Sequence, residues 1–117
     1  MTIKEFLEHL RREPEAVEFE QVMQLIDQNY DYQPTRFTNG DLINEAGENQ
    51  GSCKIFYFGQ LQALSETETL ALFGRYYRDD VLGNPAGEDH ANIRTFILDG
   101  WAGIRFDGAA LREKTLH

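Results

Sequence analysis

Residues 53–64 read CKIFYFGQLQAL, and whether they form a strand or a helix decides the fold. Ile55 to Phe58 alone would suit a buried strand, but Leu61 and Leu64 extend the apolar pattern to helical length. The segment is therefore expected to be a largely buried helix. The preceding NQGS, residues 49–52, supplies the small-residue turn that leads into it and sets Cys53 near the first turn.

Other helices are expected on both sides. In TIKEFLEHLRRE, Ile3, Phe6, Leu7 and Leu10 fall on one helical stripe, and Thr2 and Glu5 have capping-box spacing. Pro14 suits a first turn, and Phe19, Val22, Met23, Ile26 and Tyr30 continue a helix over roughly 18–30. Downstream, Ser65 and Glu68 form a second capping box, and Leu70, Phe73, Tyr77 and Val81 predict one helix running to Gly83-Asn84-Pro85. A last helix carries Ile93, Phe96 and Ile97, with Glu88 or Asp89 as its cap, Gly100 as its stop and Trp101 as a core anchor.

Residues 32–51 are irregular by contrast, rich in turn formers. Within them, residues 35–38 (TRFT) alternate like a strand and end at Asn39-Gly40, while residues 103–106 (GIRF) read the same way and stop at Asp107-Gly108. These two segments are expected to pair. The reading is a mainly α protein with a minor β part: one domain over 1–117, about five helices and a two-stranded β element.

Composition narrows the function. A chain of 117 residues fits one domain. Twenty acidic against eleven basic residues give a formal charge of −9, which disfavours nucleic acid and anionic membrane surfaces as partners. The lone cysteine excludes an internal disulfide, no segment has the roughly 18 apolar residues of a membrane span, and the N-terminus does not read as a signal peptide. These features suit a reducing cytoplasm.

Five sequence words occur in order: YQPTRFTNG, NEAGENQGSCKIF, FGRYYRDDVLGNP, DHANIRTF and GWAGIRFDG. Together, over roughly residues 30–111, they resemble the HopJ type III effector protein family. The resemblance implies a bacterial protein delivered into a host cell, and it carries no enzymatic mechanism. The first residues form a capped, glutamate-containing helix rather than a serine-rich, acid-poor export signal, which points instead to the bacterial cytoplasm.

Three constellations could carry chemistry. Cys53 at a helix start beside Lys54 could gain thiolate character relative to the ~8.5 of a free cysteine. With His90 as base and Asp89 or Asn92 as orienter, it would make a thiol-dependent hydrolase or transferase. The competing expectation is that Cys53 is a buried small hydrophobe and His90 a capping or surface residue. Arg36, Arg78, Arg94 and Arg105, with Asn39, Asn44 and Asn49, could line a polar cleft for a small anion, or the arginines could pair with Asp79, Asp80 or Asp107. Asp79, Asp80, Glu88, Asp89 and His90 offer hard oxygens and one imidazole around one linker, but without the ligand spacing of a known metal motif. The EAGENQGS stretch lacks the ending of a phosphate loop. No cofactor or metal is expected. The first reading is a domain that binds a protein partner through its acidic surface and segment 31–51; the alternative is the Cys53–His90 enzyme.

Overall fold

The computed structural model describes residues 1–114. The decisive segment is helical through Leu61, and Gln62, Ala63 and Leu64 lie beyond the helix end. Helix α3, Gln50–Leu61, runs through the middle of the protein and buries Cys53, Ile55, Phe56, Phe58 and Gly59. Phe56 is its hub, with ring centroids 4.9 Å from Phe96, 5.5 Å from Phe73, 6.0 Å from Phe37 and 6.5 Å from Trp101. A buried aromatic of this kind contributes both apolar area and edge-to-face contacts, so one side chain joins two other helical segments, the turn after Ala71 and a strand. Trp101 is only partly buried, but its indole N–H donates to the Leu64 carbonyl at 3.0 Å, which anchors it at the end of α3.

The expected capping boxes form. Thr2 and Glu5 start α1, Ile3–Arg12, and Ser65 and Glu68 start α4, Glu66–Ala71. A short 3-10 turn, Pro14–Ala16, leads into α2, Phe19–Asn29, which buries Val22, Leu25 and Ile26.

The single helix expected from Ser65 to Gly83 is instead broken. Helix α4 ends at Ala71, and after a turn the chain resumes as a π-helical segment, Tyr76–Val81. The break sits at Gly74, whose φ of +60° is left-handed. A Cβ there would stand 2.8 Å from the Phe19 nitrogen and 3.2 Å from the Val17 carbonyl oxygen. The close passage of the Val17–Phe19 backbone thus overrides a helical stripe that is continuous in sequence.

The expected strand pairing is present, displaced at one end. Strand β2, Phe37–Asn39, lies antiparallel to β4, Ile104–Phe106, with Phe37 opposite Phe106 and Asn39 opposite Ile104. The element has three strands rather than two, because the chain turns at Gly40-Asp41 and returns as β3, Leu42–Asn44, giving the order β3-β2-β4. A second sheet that the sequence reading omits joins β1, Tyr30–Tyr32, to β5, Leu111–Glu113. Both of its strands have three residues, too short for alternation to announce them.

Helix α5, Ala91–Asp99, packs against β2 and ends at Gly100 as expected. Its N-cap is His90, in the left-handed region at φ +52°, and not Glu88 or Asp89; no side chain caps it. No helix among the described residues is long and apolar enough to cross a membrane.

Candidate functional site

Two helices begin at the same place. The N-caps of α3 and α5, Asn49 and His90, both have left-handed backbones, and neither helix start has a side-chain cap. Intrahelical bonding starts with the Cys53 amide on the Asn49 carbonyl and the Arg94 amide on the His90 carbonyl, so the amides of 50–52 and 91–93 precede the ladders. Between these two helix starts lies a cleft of about 460 Å³, and Gly51, Ser52, Ala91, Asn92 and Ile93 all line it. Each helix start contributes positive partial charge. Phe19 and Tyr76, with ring centroids 5.2 Å apart, also line the cleft, as do Leu42, Ile43 and Phe73.

An asparagine network holds the two starts and the β2–β3 hairpin together. Asn92 Oδ1 accepts from Asn39 at 3.1 Å and from Asn44 at 3.2 Å, and Asn92 Nδ2 donates to Asn44 Oδ1 at 2.9 Å. Asn49 donates to that same Asn44 oxygen at 2.7 Å, and Asn39 donates to the Asn92 carbonyl at 2.9 Å. Asn39, Asn44 and Asn92 are buried, and Asn39 Oδ1 has no hydrogen-bond partner. Buried amides are tolerated because most of their bonding capacity is met within the set. Asn39, Asn44 and Asn49 are thus gathered as a polar group, and Asn92 joins them through both side chain and backbone.

The arginines take another course, and none of the four lines the cleft. Arg36 pairs with Glu45 at 3.2 Å and Asp107 at 3.3 Å. Arg78 donates to the Val17 carbonyl at 2.7 Å and lies 3.4 Å from Glu18, tying the π-helical segment to the start of α2. Arg94 bonds Asp89 Oδ1 at 2.6 Å and the carbonyls of Asp89 and Asn84, fastening the linker before α5. Arg105 is exposed on β4.

Cys53 and His90 have different surroundings. Cys53 is the fourth residue of α3, one place past the free amides, and is buried at 1% exposure. Its thiol donates to the Thr35 carbonyl at 3.7 Å. Burial pushes the thiol above its ordinary value, against smaller opposing effects from Tyr32, the Thr35 backbone and Lys54. The neighbouring Tyr32 hydroxyl is buried without a partner meeting hydrogen-bond geometry, and its phenol is pushed up to about 12, chiefly by burial and then by Cys53. His90, in contrast, lines the cleft. Its Nε2 stands 3.0 Å from Asp80 Oδ2 and 3.7 Å from Asp89 Oδ2, and its ring packs on Tyr76 at 5.3 Å. The Arg94 guanidinium holds the Asp89 carboxyl below the usual range. Among the described residues no hydrogen bond connects Cys53 with His90, and Cys53 is not part of the cleft lining.

The sequence reading missed Ser52, Phe19 and Tyr76 as cleft residues. Ser52 and Asn49 do carry a signal, the small-residue stretch NQGS that forms the N-cap and first turn of α3, but the second helix start opposite them is set by packing alone.

The search among proteins of curated function gives no match. A crystal structure of the unknown-function protein VPA0580 is similar over 97% of this chain and 95% of that one, with 53% identity and a TM-score of 0.96. The family model described as HopJ type III effector protein matches residues 3–111, nearly the whole chain and all five of the words that carry the resemblance. The chain belongs to the HopJ type III effector protein family.

Proposed function

We propose that this chain is a non-enzymatic binding domain that recognises an extended segment of a protein partner, whose carbonyl and carboxylate oxygens accept hydrogen bonds in the cleft between α3 and α5. The observation that carries this reading is the convergence of two uncapped helix starts on one cleft, with Gly51, Ser52, Ala91, Asn92 and Ile93 at its wall. Phe19, Phe73 and Tyr76 offer apolar surface for a side chain of the bound segment. Leu42, Ile43, Asn44 and Asn49 bring part of the irregular segment 31–51 into the same cleft. Family membership supports delivery of the chain from the bacterial cytoplasm into a host cell, which would make the partner a host protein.

The alternative, a thiol-dependent hydrolase or transferase with Cys53 as nucleophile, His90 as base and Asp89 or Asn92 as orienter, finds less support. The Cys53 thiol is buried against Thr35 and Tyr32, its pKa is raised rather than lowered, and the His90 imidazole is engaged by Asp80.

The test is selection of displayed random peptides against the native chain, followed by calorimetry of the enriched sequences on the wild type and on Ser52→Asp. The new carboxylate would cap α3 from within and occupy the anion-favouring position, so binding should fall while the melting temperature holds or rises. Enriched peptides that bind Ser52→Asp as tightly as wild type, or no enrichment at all, would overturn the reading.

A further inference from the structure

The linker before α5 and the π-helical segment bring three metal-ligating side chains together at the margin of the cleft. His90 Nε2, one oxygen of Asp80 and one of Asp89 all lie within 4.8 Å of one another. Asp80 comes from the π-helical segment and the other two from the chain just ahead of α5, so the grouping is tertiary and absent from any local motif. We propose that Asp80, Asp89 and His90 bind a divalent first-row transition-metal ion, of which zinc is the best fit.

Geometry supports this assignment. Imidazole nitrogen and carboxylate oxygens hold zinc at about 2.0–2.2 Å, which places tetrahedral ligand atoms roughly 3.4 Å apart. The observed separations of 3.0 Å to Asp80 and 3.7 Å to Asp89 already bracket that spacing around the histidine. The two carboxylates already lie within 4.8 Å of each other, and closer approach falls to the half-exposed Asp80 side chain, since Asp89 is held by Arg94.

The surroundings also fit. Asp89 uses Oδ1 for the Arg94 guanidinium and presents Oδ2 to the histidine, so one oxygen is held and the other is available. Outer hydrogen bonds of this type orient ligating carboxylates. Tyr76 packs on the His90 ring and limits its rotation. Two carboxylates and a neutral imidazole balance a dication, while the nitrogen ligand favours zinc and its neighbours over magnesium or calcium, which take oxygen. Three protein ligands leave a fourth position for water or for a group entering the cleft. This proposal does not depend on the peptide-binding reading, and its test uses no peptide.

The experiment is titration of the chelator-treated full chain with Zn²⁺ by calorimetry and with Co²⁺ by visible absorption and proton NMR. Wild type should take up one equivalent with saturable affinity, and Co²⁺ should shift and broaden the His90 ring resonances ahead of those of His9. Asp80→Asn should weaken Zn²⁺ binding by about tenfold or more and His90→Gln should abolish it, since each removes a ligand. Asp79→Asn, an exposed neighbour outside the cluster, should bind like wild type. Melting curves establish that each variant is folded. Absence of saturable uptake by wild type, or undiminished uptake by both Asp80→Asn and His90→Gln, would overturn the assignment.

Discussion

Replacing Asn92 by alanine tests whether the asparagine network holds the cleft together. The substitution leaves the Asn92 carbonyl bond from Asn39 but deletes the side-chain bonds with Asn39 and Asn44. Asn44 Nδ2 loses its hydrogen-bond acceptor, a desolvation cost of about 1–3 kcal/mol, and the lost Asn92-to-Asn44 bond adds about 1 kcal/mol. The better helix propensity of alanine returns about 0.5 kcal/mol. Asn44 and Asn92 also line the cleft, so water entering the vacated space re-partners part of the loss and favours the lower half of the range. The expected net cost is about 1.5–2.5 kcal/mol. With an unfolding entropy of about 2.1 cal/mol/K per residue, a chain of 117 residues should melt roughly 6–10 °C lower. Thermal unfolding followed by circular dichroism measures this. In the double variant Asn44→Ala/Asn92→Ala both ends of the pair are gone, so the combined loss should fall short of the sum by about 1 kcal/mol. A single variant that melts within about 3 °C of wild type, or a strictly additive double variant, would refute the reasoning.

Cys53 should react with a thiol reagent more slowly than free cysteine, at a rate that rises with denaturant as the core opens; a native rate above that of free cysteine would restore the enzyme reading. Gly74→Ala should cost at least about 1–2 kcal/mol in urea unfolding, because it forces a side chain into a left-handed position against the Phe19 backbone. An unchanged midpoint would mean that the chain from Ser65 to Gly83 can run on as one helix. Ser65→Ala should cost about 1 kcal/mol by removing the α4 cap. Glu68→Gln keeps a capping side chain but removes the charge that the Ser65 backbone amide and then Arg11 stabilise, which holds the Glu68 pKa below 4.5. A lowered folded pKa contributes stability above the unfolded value and loses it as pH falls through the folded one. Urea unfolding should therefore show the greatest gap between wild type and Glu68→Gln above pH 4.5, closing as acid is added; a pH-independent gap would contradict this.

Much of the helical framework could be read from the chain because its determinants are local. Thr2 with Glu5 and Ser65 with Glu68 sit three residues apart, and the stripes of α1, α2 and α3 repeat within a turn or two. The β2–β4 pairing was legible for a different reason, since two matched alternating segments each ended at a turn dipeptide. The apolar run of CKIFYFGQLQAL itself determined a largely buried helix there, which the structure holds as far as Leu61. The sequence also supplied the asparagines, but only the tertiary structure decided what they do. Asn39 and Asn92 meet across 53 residues, and Asn44 and Asn92 across 48. The break at Gly74, the β1–β5 sheet, the alignment of the α3 and α5 starts and the His90–Asp80 contact are equally non-local. Their physical cause is packing between distant segments, where one close backbone passage or one buried amide outweighs the few tenths of a kcal/mol per residue that local propensity contributes.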